Sequence, residues 1–528
     1  MEQKSNYSVA LTAALGLFMA VLDATIVNVG LVPIARAFKT DVSTVQWVLT
    51  GYLLAQAAII PVAGYLGNRF GTRRIFVLSL ALFTVGSLLC GLAQDETSLI
   101  IFRVIQGIGG GALLPLGQSI AFGAFPPEKR AMAGPIIGVP ILLAPAFGPT
   151  IGGLIIDNWG WEYMFYVNVP IGIVAIMLAW WIIPAAEKTS ESKSRASFDY
   201  VGLTLSVVGV LAVVYAFTLV SETRSGTQTA LNPRGGLNGW GYWLVWVLMG
   251  AGVLILAIFA WYELKVSKDP VIDLRLFARY DFTISSVVSW FTAIVIFSSL
   301  LLLPVFFQNV RLPHLSAIDT GLALMPQGIA AAFGVAIGGR FYHKLGVRNL
   351  VLIGVVLLII SSWQLTNFSP ATAGAELIPW LILRGLGFGM TMIPVQILAL
   401  QAITGPALAK ATSLFNMTRQ IAQSIGTAVV VTLFAQQTTQ HANELRDQLT
   451  RSLPPGVTFD PNSPQAIAAR EQLGAQAGTM AVNDVFFILT IGTLLMVGLA
   501  IALPNREKQN GNISQGAEES PAPALMLE

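Results

Sequence analysis

Asp23 stands in the middle of "LFMAVLDATIVNVGLV" (17–32), a run otherwise apolar enough to cross a bilayer. A carboxylate at mid-membrane costs several kcal/mol, so such residues face a bundle interior or a wet cavity and mark ion or proton routes. Desolvation favours the neutral acid and a nearby cation the ionised one, so a group held between the two can take up and release a proton. Every other carboxylate falls in a loop or near the end of an apolar segment, and His314, His343 and His441 lie outside those segments. Asp23 is therefore the candidate for a deep proton carrier; the alternative is a structural hydrogen-bond partner between helices. Its natural partner is Arg103, about five residues inside its own segment, or roughly 7–8 Å at 1.5 Å per residue. The alternative for Arg103 is snorkelling to the outer interface.

Further polar groups cluster in "NMTRQIAQS", where Asn416, Arg419, Gln420, Gln423 and Ser424 recur at helical spacing as one polar stripe. That stripe must avoid lipid, either by lining a central cavity or by packing on another helix. Gln56, Gln106 and Gln118 are further cavity candidates, although single amides also bridge helices. Cys90 is the only cysteine, which excludes an internal disulfide and a cysteine metal cluster. Neither a phosphate-binding loop of the G-x-x-x-x-G-K-[ST] type nor H-E-x-x-H occurs, so ATP is not expected as the energy source. No cofactor is expected beyond a proton as coupling ion.

The elements that would position these groups are membrane helices. Of 528 residues, 55% are apolar and 11% charged, and the mean hydropathy is +0.70; an all-α integral membrane protein follows. Fourteen apolar segments can be placed, near 9–35, 45–66, 75–93, 98–124, 131–156, 164–184, 200–220, 241–262, 282–308, 317–339, 349–366, 377–402, 408–436 and 484–503. The first is too long for a cleaved signal peptide and reads as a retained helix. Basic residues concentrate in alternate gaps, including "NRFGTRR", "PPEKR" and "RFYHKLGVR", which predicts both termini in the cytoplasm. This asymmetry accounts for the net charge of +3 without invoking nucleic acid.

The chain also repeats itself. "GYLGNRFGTRR" from Gly64 matches "GRFYHKLGVRN" from Gly339, and "QGIGGGALLP" from Gln106 matches "RGLGFGMTMIP" from Arg384, at offsets of 275 and 278. Residues 1–186 and 282–504 are thus expected to form equivalent six-helix bundles, with linkers and two inserted helices over 187–281. An external loop, partly helical in pattern and interrupted by prolines, is expected near 437–483, and a disordered cytoplasmic tail over 505–528. Arg384, as the repeat counterpart of Gln106, reads as structural.

Taken in order, "LDATIVNVGLVPIA", "GYLGNRFGTRR", "LIIFRVIQGIGGG" and "APAFGPTIGG" resemble the major facilitator superfamily, and within it the fourteen-helix drug:proton antiporters of the EmrB/QacA type. "WGWEYMFYVNVPIG" and "DPVIDLRLF" are further family-like stretches. The resemblance implies a major facilitator fold in the plasma or inner membrane and proton-driven efflux of lipophilic or cationic compounds by alternating access. It links Arg103 to proton transfer. It implies that Gly64, Asn68, Arg69, Gly71, Arg73 and Arg74 form a cytoplasmic latch, with Asn68 where an aspartate is usual. It makes Pro145, Gly148, Pro149, Gly152 and Gly153 the antiporter motif. Members of the EmrB type work with a periplasmic adaptor and an outer-membrane channel, QacA types alone; the residues do not choose between them. A cavity with one carboxylate and many Phe, Met and Leu side chains suits bulky lipophilic cargo. Other readings are a transporter dedicated to one metabolite, lipid or fatty acid, a small-metabolite uptake symporter, and a non-transporting receptor.

Overall fold

The computed structural model describes residues 2–40, 42–184, 199–222, 239–267, 270–405, 407–452 and 464–504. The described residues are almost all helical, as a bilayer demands of backbone that has no water to bond. In order these are α1 Glu2–Phe38, α2 Val42–Phe70, α3 Thr72–Gly91, α4 Glu96–Gly123, α5 Ala133–Trp159, the short α6 Tyr163–Tyr166, α7 Asn168–Ile182, α8 Tyr200–Glu222, α9 Trp243–Lys265, α10 Tyr280–Val305, α11 Ala317–Gln364, α12 Gly374–Leu400, α13 Ala407–Ser452 and α14 Pro464–Ala502.

Sequence chemistry places the breaks. Gly71 separates α2 from α3 at φ 95°, a left-handed conformation that suits glycine. Asp95 opens α4 through a capping box, its carboxylate accepting the Ser98 N–H at 2.8 Å. Gly346 turns the chain at φ 75° and ψ 160°, dividing α11 into two helices, as the expected boundary between 339 and 349 requires.

Twelve described helices are long and apolar enough to cross a membrane. Fourteen crossings need two additions: the division of α11 and the inclusion of α13. The polar stripe of α13 lowers its apolarity and leaves it outside that set. The region near 437–483, expected as an external loop partly helical in pattern, is helical over its described residues, since α13 runs on to Ser452 and α14 starts at Pro464. Gln436, Thr439 and Gln440 are exposed here, so helix persists where apolarity ends. The 505–528 tail and most of the 187–199 linker lie outside the described residues.

Two bundles result, α1–α7 and α10–α14, with α8 and α9 as an inserted hairpin beside the seam where α2 meets α13. Trp240, between α8 and α9, donates from Nε1 to Thr432 Oγ1 of α13 at 2.8 Å, while Tyr215 of α8 packs on Trp47 of α2. The repeat is visible at the seams. A Cβ on Gly64 would overlap the Ala409 carbonyl and Ser413 hydroxyl of α13, and one on its repeat partner Gly339 would overlap Pro135 of α5. Arg130, in the 3-10 turn before α5, donates Nη1 to the carbonyls of Leu400 and Gln401 across the halves. The halves are thus closed at the end that carries residues 64–74.

Candidate functional site

Within the first bundle, five helices converge on Asp23. Its side chain is fully buried. Oδ2 accepts from Arg103 Nη1 at 2.6 Å, and Oδ1 accepts from Gln106 Nε2 at 3.0 Å and Asn168 Nδ2 at 2.8 Å. Arg103 and Gln106 lie one helical turn apart on α4, so the same face presents both. Arg103 Nη1 also donates to Gln106 Oε1 at 2.7 Å, and Nε donates to the Val48 carbonyl of α2 at 3.3 Å. The guanidinium stacks over Tyr52, 4.0 Å from the ring centroid. It is wholly enclosed and turned inward rather than reaching out to the interface.

An ion pair taken out of water is tolerable only when its remaining donors and acceptors are satisfied. Asn168 serves that end: it joins Asp23 to Ser87 Oγ of α3 at 3.1 Å. Ser87 in turn donates to the Phe165 carbonyl at 2.9 Å. Cys90 of α3 directs Sγ at Gln106 Oε1, 3.6 Å away. Arg103 Nη2 and Asn168 Oδ1 are buried without a partner among the described residues. This site stores charge with little slack, and any proton added to Asp23 competes with Arg103 for Oδ2.

The packing around Asp23 explains the glycines of α5. Gly148 and Gly152 face α1, where a Cβ would meet Thr25 and the backbone of Ile26. On the other face of the same helix, Pro149 contacts the position of Gly321, and Gly153 faces Ile318, both on α11. Pro145 and Pro149 lie inside α5 and each removes a backbone donor. The segment 145–153 therefore joins the helix carrying Asp23 to the second bundle.

A family model described as the Major Facilitator Superfamily matches residues 13–427. The multidrug export protein EmrB of Escherichia coli K12 is 33% identical over 512 residues, covering 93% of this chain and 94% of its own. The chain belongs to the major facilitator superfamily. As a superfamily member of the EmrB type it is a multi-pass membrane transporter, not an enzyme. The fatty acid resistance protein FarB of Neisseria gonorrhoeae is 32% identical over 443 residues, 84% of this chain and 83% of its own. The crystal structure of the human organic anion transporter MFSD10 matches the fold with a TM-score of 0.58 at 14% identity, over 92% of this chain and 99% of that one.

In this transporter the polar residues expected around one cavity separate into groups. Gln106 belongs to the Asp23 network and is fully buried, not exposed to a space between halves. Gln56 attaches to the same network, donating Nε2 to the Tyr52 hydroxyl at 2.8 Å. Gln118 of α4 and Asn416 of α13 join the two halves instead, Asn416 Nδ2 donating to Gln118 Oε1 at 2.6 Å. Arg419 Nη2 donates to Asn416 Oδ1 at 3.0 Å, while Gln420, Gln423 and Ser424 continue the stripe half-buried. Arg384 occupies the core of the second bundle, donating to Ser299 Oγ, Ser362 Oγ and the Val295 carbonyl.

The 64–74 segment also separates by role. Gly64 makes the close approach to α13. Arg69 donates to the Tyr65 hydroxyl at 3.3 Å. Arg73 bonds the Trp180 carbonyl and lies over that ring, which ties α3 to the end of α7 within one half. Asn68 is half-buried, and Arg74 is exposed at the start of α3. Asn168, absent from the sequence-based candidates, was signalled by an amide inside the apolar stretch "YVNVPIG".

Proposed function

We propose that this chain is a proton-driven efflux antiporter that exports lipophilic or cationic compounds by alternating access. The observation carrying this reading is the enclosed Asp23–Arg103 pair, held by Gln106 and Asn168. A proton arriving at Asp23 removes the charge that retains Arg103, and the freed guanidinium must find new partners. The pair is thus a two-state element that protonation biases, and a cargo favouring the ionised state would exchange against the proton. Each charge moved down 100 mV supplies about 2.3 kcal/mol, enough to concentrate cargo outside.

The reading extends to setting. The basic gaps support cytoplasmic termini in a plasma or inner membrane, and on this reading the closed 64–74 end is the cytoplasmic one. The name of the EmrB relative supports multidrug cargo, and an adaptor with an outer-membrane channel is a partner arrangement to be tested. A second reading, export of a single lipid or fatty acid, is favoured by the relative named for fatty acid resistance.

Inverted vesicles energised by respiration provide the test, with ethidium and oleate as separate probes. Addition of ethidium should dissipate the pH gradient in vesicles bearing the wild-type chain and leave it intact with Asp23→Asn. A response to oleate alone selects the second reading. Equal dissipation by wild type and Asp23→Asn would defeat the assignment.

A further inference from the structure

The inserted hairpin carries two buried acids at one end. Asp199 immediately precedes α8 and Glu263 lies in the last turn of α9, and both are nearly inaccessible. They flank Gly202: Glu263 Oε1 and Asp199 Oδ2 lie 2.6 and 2.8 Å from the point that a Cβ there would occupy. Asp199 Oδ1 accepts from the Gly202 N–H at 2.7 Å and Oδ2 from Ser267 Oγ at 2.6 Å. Glu263 Oε1 accepts from the Val271 N–H at 3.1 Å, and the Ile272 N–H also favours the buried carboxylate.

This pair sits on the seam between halves. The Asp199 N–H donates to the Tyr65 hydroxyl of α2 at 3.2 Å. Across the Tyr65 ring, 5.4 Å from its centroid, lies Nζ of Lys410 from α13, which donates to the Pro270 carbonyl at 2.7 Å. Gly64, next to Tyr65, meets Ala409, next to Lys410. The charged and titratable groups facing the acids are Lys410 from α13, Tyr65 from α2 and Tyr262 from α9, while Arg69 of α2 reaches only the Tyr65 hydroxyl. Two carboxylates brought this close out of water cannot both remain ionised at low cost.

We propose that Glu263, lodged against the Asp199 carboxylate, takes up one proton, forming a second protonatable site whose occupancy keeps the two halves closed at the 64–74 end. With the proton in place, the pair carries a single charge opposite Lys410. Loss of that proton to water leaves two like charges beside Gly202, which drives the start of α8 away from the end of α9 and withdraws the Asp199 N–H from Tyr65 of α2 at the seam. The hairpin thereby supplies the acidic control that Asn68 cannot, and this goes beyond the Asp23 reading because it stands on a separate site.

Spin labels on Lys129→Cys and Thr404→Cys, with buried Cys90 left in place, report the separation of the halves at this end in the full-length protein. The expected result is a short distance at acidic pH and a growing long component at alkaline pH, absent from Glu263→Gln and reduced in Asp199→Asn. Asp23→Asn should keep the pH response even where transport is lost, so failure of one site is distinguishable from failure of the other. An unchanged response in Glu263→Gln, no response in the wild type, or loss of the response in Asp23→Asn would each overturn the proposal.

Discussion

Gly148 of α5 lies against the hydroxyl of Thr25 on α1, two positions along the chain from Asp23, and no side chain fits between them. Thr25 Oγ1 donates to the Leu22 carbonyl at 2.8 Å and approaches the Ala144 carbonyl at 3.4 Å, so α1 and α5 are interlocked beside the buried carboxylate.

Gly148→Ala should therefore force α5 away from α1. Overpacking of this kind costs about 1–3 kcal/mol, and thermal unfolding followed by dye reaction at the buried Cys90 should begin several degrees lower. Gly153→Ala meets only the Ile318 side chain, which can rotate. It should leave the unfolding temperature nearly unchanged and slow transport instead. Equal destabilisation by both would refute the two-faced role of α5.

Breaking one side of the Asp23–Arg103 pair leaves a buried charge uncompensated, at a cost of about 3–5 kcal/mol. Arg103→Gln should thus be markedly less stable than wild type. Adding Asp23→Asn to it should restore stability without restoring proton-driven transport. A double-mutant cycle in unfolding, read beside ethidium transport, checks both halves of the prediction.

Asn168→Ala removes a donor from Asp23 and from Ser87 at once. A hydrogen bond to a charged group contributes about 1.5–3 kcal/mol, so proton-coupled ethidium efflux should fall roughly tenfold or more. Asn168→Leu should be no better, since shape without a donor leaves Oδ1 short of a partner. Wild-type efflux in either variant would remove Asn168 from the site.

Gln118→Ala and Asn416→Ala both cut the same bond between halves. Each should raise labelling of a cysteine at exposed Gly123 by a membrane-impermeant maleimide in inverted vesicles, and the double variant should add little to either. Additive increases would show that the two amides act independently.

How much of this was legible depends on contrast. Asp23 and Arg103 stand out because a charge inside an apolar run has few bland explanations. Asn168 does not, since one amide beside Pro170 looks like ordinary helix-start chemistry until Asp23 is seen at its Nδ2. Gln106 was visible as a polar group but not its direction, because helical spacing relates it to Arg103 only once Arg103 is known to point inward. Glu263 lay hidden for the opposite reason: a carboxylate at the end of a helix, next to basic residues, reads as solvated surface, and only the return of the chain at Val271 onto its carboxylate shows it buried. The helical length of α13 beyond 436 escaped the apolarity pattern because its exposed residues need no lipid.

Gly64 and Gly339, equivalent by repeat, are each the place where one bundle's backbone presses into the other. The seam is thus fastened by a matched pair of studs, one on either wing. Neither wing can lift without strain on its twin, so gating at this end should behave as a single all-or-none event.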